Sequence, residues 1–306
     1  MKVIITGATG FIGKALSENL IESETQVIAL SRNKDHAESV LGNRATCVEW
    51  DGTTSSGWAN FVEDADVIVN LAGANLSSRI WTSLYKKEIW DSRVNSGRAL
   101  VQAIMRAKHK PRLFIQASAI GYYGSSGDEV LDEKSLKGSG FLSDLVQAWE
   151  GSTKEVEAHG VKRIIIRSGV VLGRGAVLLS ILKIPFKLYV GGYAGSGKQW
   201  FSWIHLEDEI KIIRFLINNP HIRGKVNSVS PEPVRMKEFA QTIGKILKRP
   251  SWTKAPAFLM KFILGDMAKE TILASQKIFP KKLLEAGYQF KYPNLNPALA
   301  ESFNDT

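Results

Sequence analysis

The sequence predicts an α/β fold: a doubly wound parallel sheet with a small, mostly helical subdomain at its C-terminal end. Three observations carry that expectation. Short apolar runs alternate with helix-period segments through the first 170 residues, the pattern of a parallel sheet with helices on both faces. Glycines at 7, 10 and 13 follow directly on the first apolar run and open the first helix-period segment. From about residue 170 the rhythm changes, and Pro250 and Pro256 punctuate the entry to a basic tail.

In chain order the expected strands are Val3–Thr6, Gln26–Leu30, Thr46–Trp50, Asp66–Leu71, Arg112–Ser118 and Arg163–Arg167. Nearly continuous apolar runs such as Val67-Ile68-Val69-Asn70-Leu71 suit strands covered on both faces. Expected helices lie near 11–22, 34–41, 81–107 and 140–159. In the first, Phe11, Ile12, Ala15, Leu16, Leu20 and Ile21 fall on one side at helical spacing. Beyond 170, Gly-rich segments at 169–175 and 191–197 flank a helix at 176–188. A helix near 207–219, a strand near 225–229 and a helix near 235–247 follow. The expected division is a dinucleotide-binding domain over 1–230, with substrate-side insertions at about 170–205, and a basic subdomain over 250–300.

Composition narrows the class. With 44% hydrophobic and 23% charged residues in 306, the chain is an ordinary globular one, which excludes a disordered tail protein or a disulfide scaffold. The single cysteine, Cys47, forms no intrachain disulfide and supplies no thiolate cluster. No apolar run approaches the roughly 20 residues of a membrane span; the strongest, Phe258–Leu264, is interrupted by Lys261. The chain opens on Met1-Lys2 and a strand-like run, so the expectation is a soluble cytoplasmic protein without a targeting peptide. The net charge of +10 is unevenly placed: residues 1–210 carry 24 Lys and Arg against 23 Asp and Glu, residues 211–306 carry 16 against 7. The C-terminal lysines are scattered through helical segments, as on a solvated face, and form no dense run.

Thr6-Gly7-Ala8-Thr9-Gly10-Phe11-Ile12-Gly13 is placed as a Rossmann-type phosphate loop is placed, between a strand and an amphipathic helix. One glycine makes the tight turn, one admits the pyrophosphate to the backbone, and one lets helix and strand pack closely. The helix start then presents free N–H groups and a partial positive charge to the phosphates. Where an NAD enzyme carries an acidic residue for the ribose hydroxyls, this chain reads Leu30-Ser31-Arg32-Asn33. An arginine there accommodates a 2′-phosphate, so the expected cofactor is NADP(H). Further contacts are expected from Asp51 to the adenine, from Leu71-Ala72-Gly73 beside the nicotinamide ribose, and from Ser118 at the end of the fifth strand. Asp51-Gly52 is equally a turn pair.

Together these pieces resemble the extended short-chain dehydrogenases/reductases, the superfamily that includes sugar-nucleotide epimerases. Ser118-Ala119-Ile120-Gly121-Tyr122-Tyr123-Gly124, Arg167-Ser168-Gly169-Val170-Val171-Leu172-Gly173, the run Gly195–His205 and the tail Pro280–Tyr288 narrow the resemblance. Over essentially the whole chain they are similar to the YfcH-like epimerase family, atypical members with a C-terminal DUF1731-type domain. The resemblance implies a Rossmann core, NADP and an epimerase or reductase label rather than one particular reaction.

The resemblance also implies an acid–base set that this chain lacks. The superfamily uses a Tyr with a Lys four residues later, the ammonium favouring the phenolate near neutral pH. None of the seven tyrosines here has Lys four positions on. The expected helix, Phe141–Glu150, holds neither residue, only Ser143 and Asp144 as polar groups in its first turn, and the usual hydroxyl position falls on Ala119. Tyr122, Tyr123 and His205 are the replacement candidates for proton transfer. Arg93, Arg167, Gln199 and Trp200 are candidates for gripping an acidic or polar substrate, and packing or surface roles compete for each.

Gly192–Gln199 nearly spells a nucleotide-triphosphate loop, but Gln199 stands where a hydroxyl must meet Mg²⁺, so no ATPase is expected. The five histidines and one cysteine show no metal-ligand spacing, and nothing reads as a nucleic-acid module. The expected function is an NADP(H)-binding atypical short-chain dehydrogenase/reductase, an epimerase or carbonyl reductase. The alternative is a non-catalytic NADPH sensor or scaffold. The expected partner is a small polar or anionic molecule, with no membrane and no nucleic acid; a homodimer is the assembly considered.

Overall fold

The computed structural model describes residues 1–304. One sheet contains seven strands: β1 (Lys2–Thr6), β2 (Gln26–Ser31), β3 (Thr46–Glu49), β4 (Val67–Asn70), β5 (Leu113–Ala119), β6 (Lys162–Ser168) and β7 (Gly224–Ser228). Their order across the sheet is β3-β2-β1-β4-β5-β6-β7. The pairs β1–β2, β2–β3, β1–β4 and β4–β5 are parallel, with Val3 opposite both Val27 and Val67. Every residue of β4 is buried, as are Val3 to Thr6 of β1, so both faces of these strands are covered. Strand order reverses between β1 and β4, and in doubly wound sheets ligands bind beyond the carboxyl ends at that point.

The helices are α1 (Phe11–Glu22), α2 (Lys34–Leu41), α3 (Ser83–Arg106), α4 (Phe141–Gly151), α5 (Val177–Lys187), α6 (Leu206–Asn218), α7 (Met236–Leu247), α8 (Ala257–Leu264), α9 (Lys281–Glu285) and α10 (Leu295–Phe303). The alternation read from the sequence is reproduced element by element, with one difference. The helix expected over 140–159 ends at Gly151 and resumes as a 3₁₀ segment, Lys154–His159. In the break, the Ser152 hydroxyl donates to the Trp149 carbonyl at 2.7 Å, side-chain competition that favours helix ends.

The chain divides into two compact units. The first is Met1–Ser118, Leu145–Ile166 and Ile213–Lys225; the second is Ala119–Asp144, Arg167–Ile212 and Val226 onward. The first unit has an apolar core of Ile4, Ile28, Leu30, Ile68, Leu100, Ile104 and Phe114 with Trp50 and Trp58. The second is stitched by two-stranded pairings: Val170–Leu172 with Trp203–His205, Gly192–Ala194 with Thr253–Ala255, Trp200–Phe201 with Val234–Arg235, and Val130–Leu131 with Lys277–Ile278. Among the described residues no helix is long and apolar enough to cross a membrane, and no group of three His, Cys, Asp or Glu is placed to hold a metal.

Candidate functional site

The turn after β1 is built by close backbone approach. Gly7 has φ +66°, and a Cβ there would stand 2.8 Å from the Leu71 carbonyl oxygen. A Cβ on Gly13 would run into the Gly7 carbonyl, so that glycine lets α1 start directly against the turn. Thr6, fully buried, donates from its hydroxyl to Asn70 Oδ1 at 2.7 Å and accepts the N–H groups of Leu71 and Ala72 at 3.1 Å each. That ties the 71–73 segment to the turn. Gly10 is the N-cap of α1, no side chain caps the helix, and its first turn holds no acidic residue. Thr9, Gly10, Phe11 and Ile12 thus form an open, electropositive helix start, the chemistry that suits a pyrophosphate.

At the end of β2, Ser31 folds back on Asn33, its hydroxyl donating to the Asn33 carbonyl at 3.0 Å. Asn33 caps α2 by accepting the His36 N–H at 2.8 Å. Arg32, between them, is exposed and has no ion pair among the described residues. Asp51 makes a tight local turn, its carboxylate accepting the Thr53 and Thr54 N–H groups and the Thr54 hydroxyl at 2.7–2.8 Å. Desolvation pushes this carboxyl up, but those donors together outweigh it and hold Asp51 at about 2. The Nε1 groups of Trp50 and Trp58 both donate to the Thr54 carbonyl and fix the same turn.

Two buried groups occupy this unit near the strand ends. Ser118, at the end of β5, donates to Glu150 Oε1 at 2.7 Å. Arg93, on α3, lies against Gly73: a Cβ on that glycine would be 2.9 Å from the guanidinium carbon. Its ring neighbour is Trp149, with Cζ 5.0 Å from the centroid.

The remaining candidates belong to the second unit, and only some come together. Arg167, fully buried, stacks its guanidinium over the Tyr122 ring at 3.4 Å and donates to the Tyr123 hydroxyl at 3.0 Å. Tyr123 in turn donates to Asn227 Oδ1 at 2.7 Å. Desolvation pushes its phenol up to about 12 against the opposing pull of Arg167, so it holds its proton at neutral pH. Tyr122 is half-buried beside the cluster of Ile120, Tyr123, Leu131, Val229 and Ile278. His205 is placed elsewhere. Its Nδ1 accepts the Glu207 N–H at 3.3 Å, which leaves Nε2 as donor to Glu301 Oε2 at 2.8 Å.

Gln199 and Trp200 both tie segments of the second unit together. Gln199 Nε2 donates to the carbonyls of Ala194 and Ile272 at 2.9 and 3.2 Å. Trp200 Nε1 donates to Asp128, and its ring carries Arg235 at 3.8 Å and Lys277 at 4.5 Å. Gln199 also lines a cavity of about 590 Å³ with Gly121, Gly124, Ser139, Ser196, Lys261 and Lys269. The cavity's carboxylate is Glu270, which accepts the Phe141 and Leu142 N–H groups at the start of α4 at 2.9 and 2.7 Å. Ser143, in that first turn, donates to the Gly121 and Tyr122 carbonyls, while Asp144 pairs with Lys137.

Sequence reasoning singled out neither the cavity lysines nor Glu150. Lys261 and Lys269 sit in a tail whose charges read as solvated. Glu150 left a fainter signal: it shares the apolar stripe of Leu142, Val146 and Trp149 at helical spacing, where a carboxylate needs a partner.

A profile described as the NAD dependent epimerase/dehydratase family matches residues 3–228. The chain belongs to that family. Residues 255–302 of this epimerase-family chain match a second profile, the domain of unknown function DUF1731. The Bacillus subtilis "Epimerase family protein YfhF" is 38% identical over 309 residues, covering 100% of this chain and 99% of that one. The Arabidopsis thaliana "Epimerase family protein SDR39U1 homolog, chloroplastic" is 37% identical over 98% of this chain and 86% of its own. Among solved structures, the human epimerase family protein SDR39U1 (isoform 2), crystallised with NADPH, matches at a TM-score of 0.90 and 33% identity over the whole of both chains.

Proposed function

We propose that this chain is an NADP(H)-dependent oxidoreductase or epimerase of the short-chain type that acts on a small polar or anionic molecule. The observation that carries the reading is the turn of Gly7, Gly10 and Gly13 against an uncapped α1, with the exposed, unpaired Arg32 at the end of β2. The main-chain amides of Phe11 to Gly13, at the uncapped start of α1, hold the pyrophosphate, and Arg32 reads the 2′-phosphate. The human relative crystallised with NADPH supports the same cofactor. When bound, NADP(H) supplies or accepts hydride.

The chain's own residues bind and handle the proton. Lys261 and Lys269 line the 590 Å³ cavity without an ion-pair partner among the described residues, which favours an anionic occupant. Of the three proton-carrier candidates, Tyr122 is the one we assign. The nitrogens of His205 and the hydroxyl of Tyr123 are committed to protein partners. Tyr122 directly follows the cavity residue Gly121 in the chain, and its ring is held edge-on to Tyr123 and under the Arg167 guanidinium.

The test is calorimetric titration of the purified protein with NADPH and NADH, followed by turnover on a panel of carbonyl compounds and nucleotide sugars. A charge-assisted hydrogen bond contributes about 1.5–3 kcal/mol, so Arg32→Ala should cost NADPH roughly ten- to a hundredfold and leave NADH nearly unchanged. Equal losses for both coenzymes would remove Arg32 from the reading. Saturation by neither, with folded protein, would remove the reading itself. Turnover that survives Tyr122→Phe displaces Tyr122, and binding with no turnover across the panel favours the sensor role.

A further inference from the structure

Helix α8 reads Ala257-Phe258-Leu259-Met260-Lys261-Phe262-Ile263-Leu264, apolar at every position but one, yet none of its residues is buried. Phe258 is 75% exposed and Phe262 87%. A helix apolar nearly all round is normally covered, and large apolar groups gathered in water mark a surface that something else covers.

The apolar surface continues beyond α8. Along α5, Val177, Ile181, Ile184 and Leu188 recur at helical spacing and all are exposed. The strands Gly192–Ala194 and Thr253–Ala255 pair in parallel, so the segment after α5 and the segment before α8 run side by side. Trp252, 73% exposed, donates from Nε1 to the Tyr189 carbonyl at 2.9 Å, and the Arg249 guanidinium lies 4.7 Å from the Tyr189 ring centroid.

Charge says what covers this face. Residues 175–198 hold three lysines and residues 239–265 hold five Lys and Arg, while neither stretch holds any of the chain's 30 Asp and Glu. Glu238 and Asp266 stand at the borders of the second stretch. A second copy docked face to face would set these cations against themselves, because an isologous contact meets its own patch. A protein partner would need pockets for aromatic rings that project into solvent. An anionic bilayer meets both demands. Its headgroups attract the cations, its acyl boundary takes the projecting rings, Trp and Tyr settle between the two, and lysine stems reach back to the headgroups. Run length is the criterion for spanning a bilayer and excludes only that; lying on one needs an apolar face with a basic flank.

We propose that the exposed faces of α5 and α8, with Trp252 beside them, form a docking surface for a lipid bilayer that carries anionic headgroups. Ala257 and Lys261 of α8 also line the 590 Å³ cavity, so docking brings one wall of that cavity to the bilayer. The docking surface stands independently of the dinucleotide reading.

The test is sedimentation of the full chain with vesicles of phosphatidylcholine, and with vesicles of phosphatidylcholine and phosphatidylglycerol in equal parts. The protein should bind the mixed vesicles at low salt and the neutral ones at least tenfold more weakly. Phe258→Ser combined with Phe262→Ser should weaken binding at least tenfold and leave Tm unchanged, since both rings are exposed. Lys187→Gln combined with Lys254→Gln tests charge separately. Each cation near an anionic surface contributes about fivefold, so the pair should cost about twentyfold, and added salt should have the same effect. Failure of the wild type to sediment with mixed vesicles overturns the proposal and turns the face towards an acidic protein surface. Equal binding to both vesicle types overturns it, and so does binding that either double variant leaves unchanged. A wild-type dimer that the double Phe variant converts to a monomer in light scattering also overturns it, by making the face a contact between copies.

Discussion

Glu209 is a carboxyl group sealed inside the second unit, its oxygens accepting hydroxyl hydrogens from Ser168 at 2.6 Å and from Ser228. Desolvation raises its pKa, and the two serines offset only part of that rise. The sign of the consequence is fixed by linkage. Between the ordinary glutamate range, about 4.3, and the raised folded value, the folded chain binds the extra proton. The stability from this site is complete below that range and falls as pH rises through the folded value. Glu209→Gln keeps an acceptor for one serine and cannot ionise. The difference in Tm, variant minus wild type, should therefore grow as pH goes from 4 to 8 in thermal melts; a difference that shrinks would contradict the assignment. The same gap between residue type and environment limited the reading of Tyr123 and His205. Their chemistry suits proton transfer, but only the fold reveals that Asn227, Arg167, Glu207 and Glu301 already engage those atoms.

At the scale of elements, most of the first unit was legible because local signals agree. Apolar runs of strand length, amphipathic periods and glycines at the turns point to one arrangement, and β1 to β4 with α1 and α2 fall within a residue or two of expectation. The short pairings of the second unit were not legible, because strands such as Trp200–Phe201 and Val234–Arg235 are two residues each and owe their form to distant partners. The glycine turn after β1 gives a sharp element-level test. A methyl on Gly13 meets main-chain atoms of Gly7 and Ala8, which cannot swing aside as a side chain would. Gly13→Ala should cost about 1–3 kcal/mol in chemical denaturation, the usual range for overpacking. Because the strain lies between the turn and α1, NADPH affinity should fall at least tenfold at temperatures where the variant remains folded. Unaltered affinity would mean that the turn does not hold the phosphates.

At the scale of the molecule, the basic tail is the part whose role composition describes least well. Its charge suggests a solvated appendage, whereas the second compact unit takes in everything from Val226 onward together with 119–144 and 167–212. The tail supplies partners that buried polar groups of that unit would otherwise lack. Asp208, fully buried, accepts the Tyr288 hydroxyl and the N–H groups of Lys291 and Tyr292 at 2.8–3.0 Å. His205 pairs with Glu301, Ser202 donates to the Gln276 carbonyl at 2.7 Å, and Gln199 donates to that of Ile272. A buried group stripped of its partner costs about 1–3 kcal/mol, more when charged, so losing these partners together is comparable with the roughly 5–15 kcal/mol that typically holds a domain folded. A chain ending at residue 254 should therefore lose the protection of Trp203, Ile204 and Ile210 amides in hydrogen exchange, and its second unit should expose apolar surface. The residues of β1 to β4 should keep theirs, since their core of Ile4, Ile28, Leu30 and Ile68 draws only on the first unit. Native protection of the 203–210 amides in the shortened chain would show that the tail is an appendage after all.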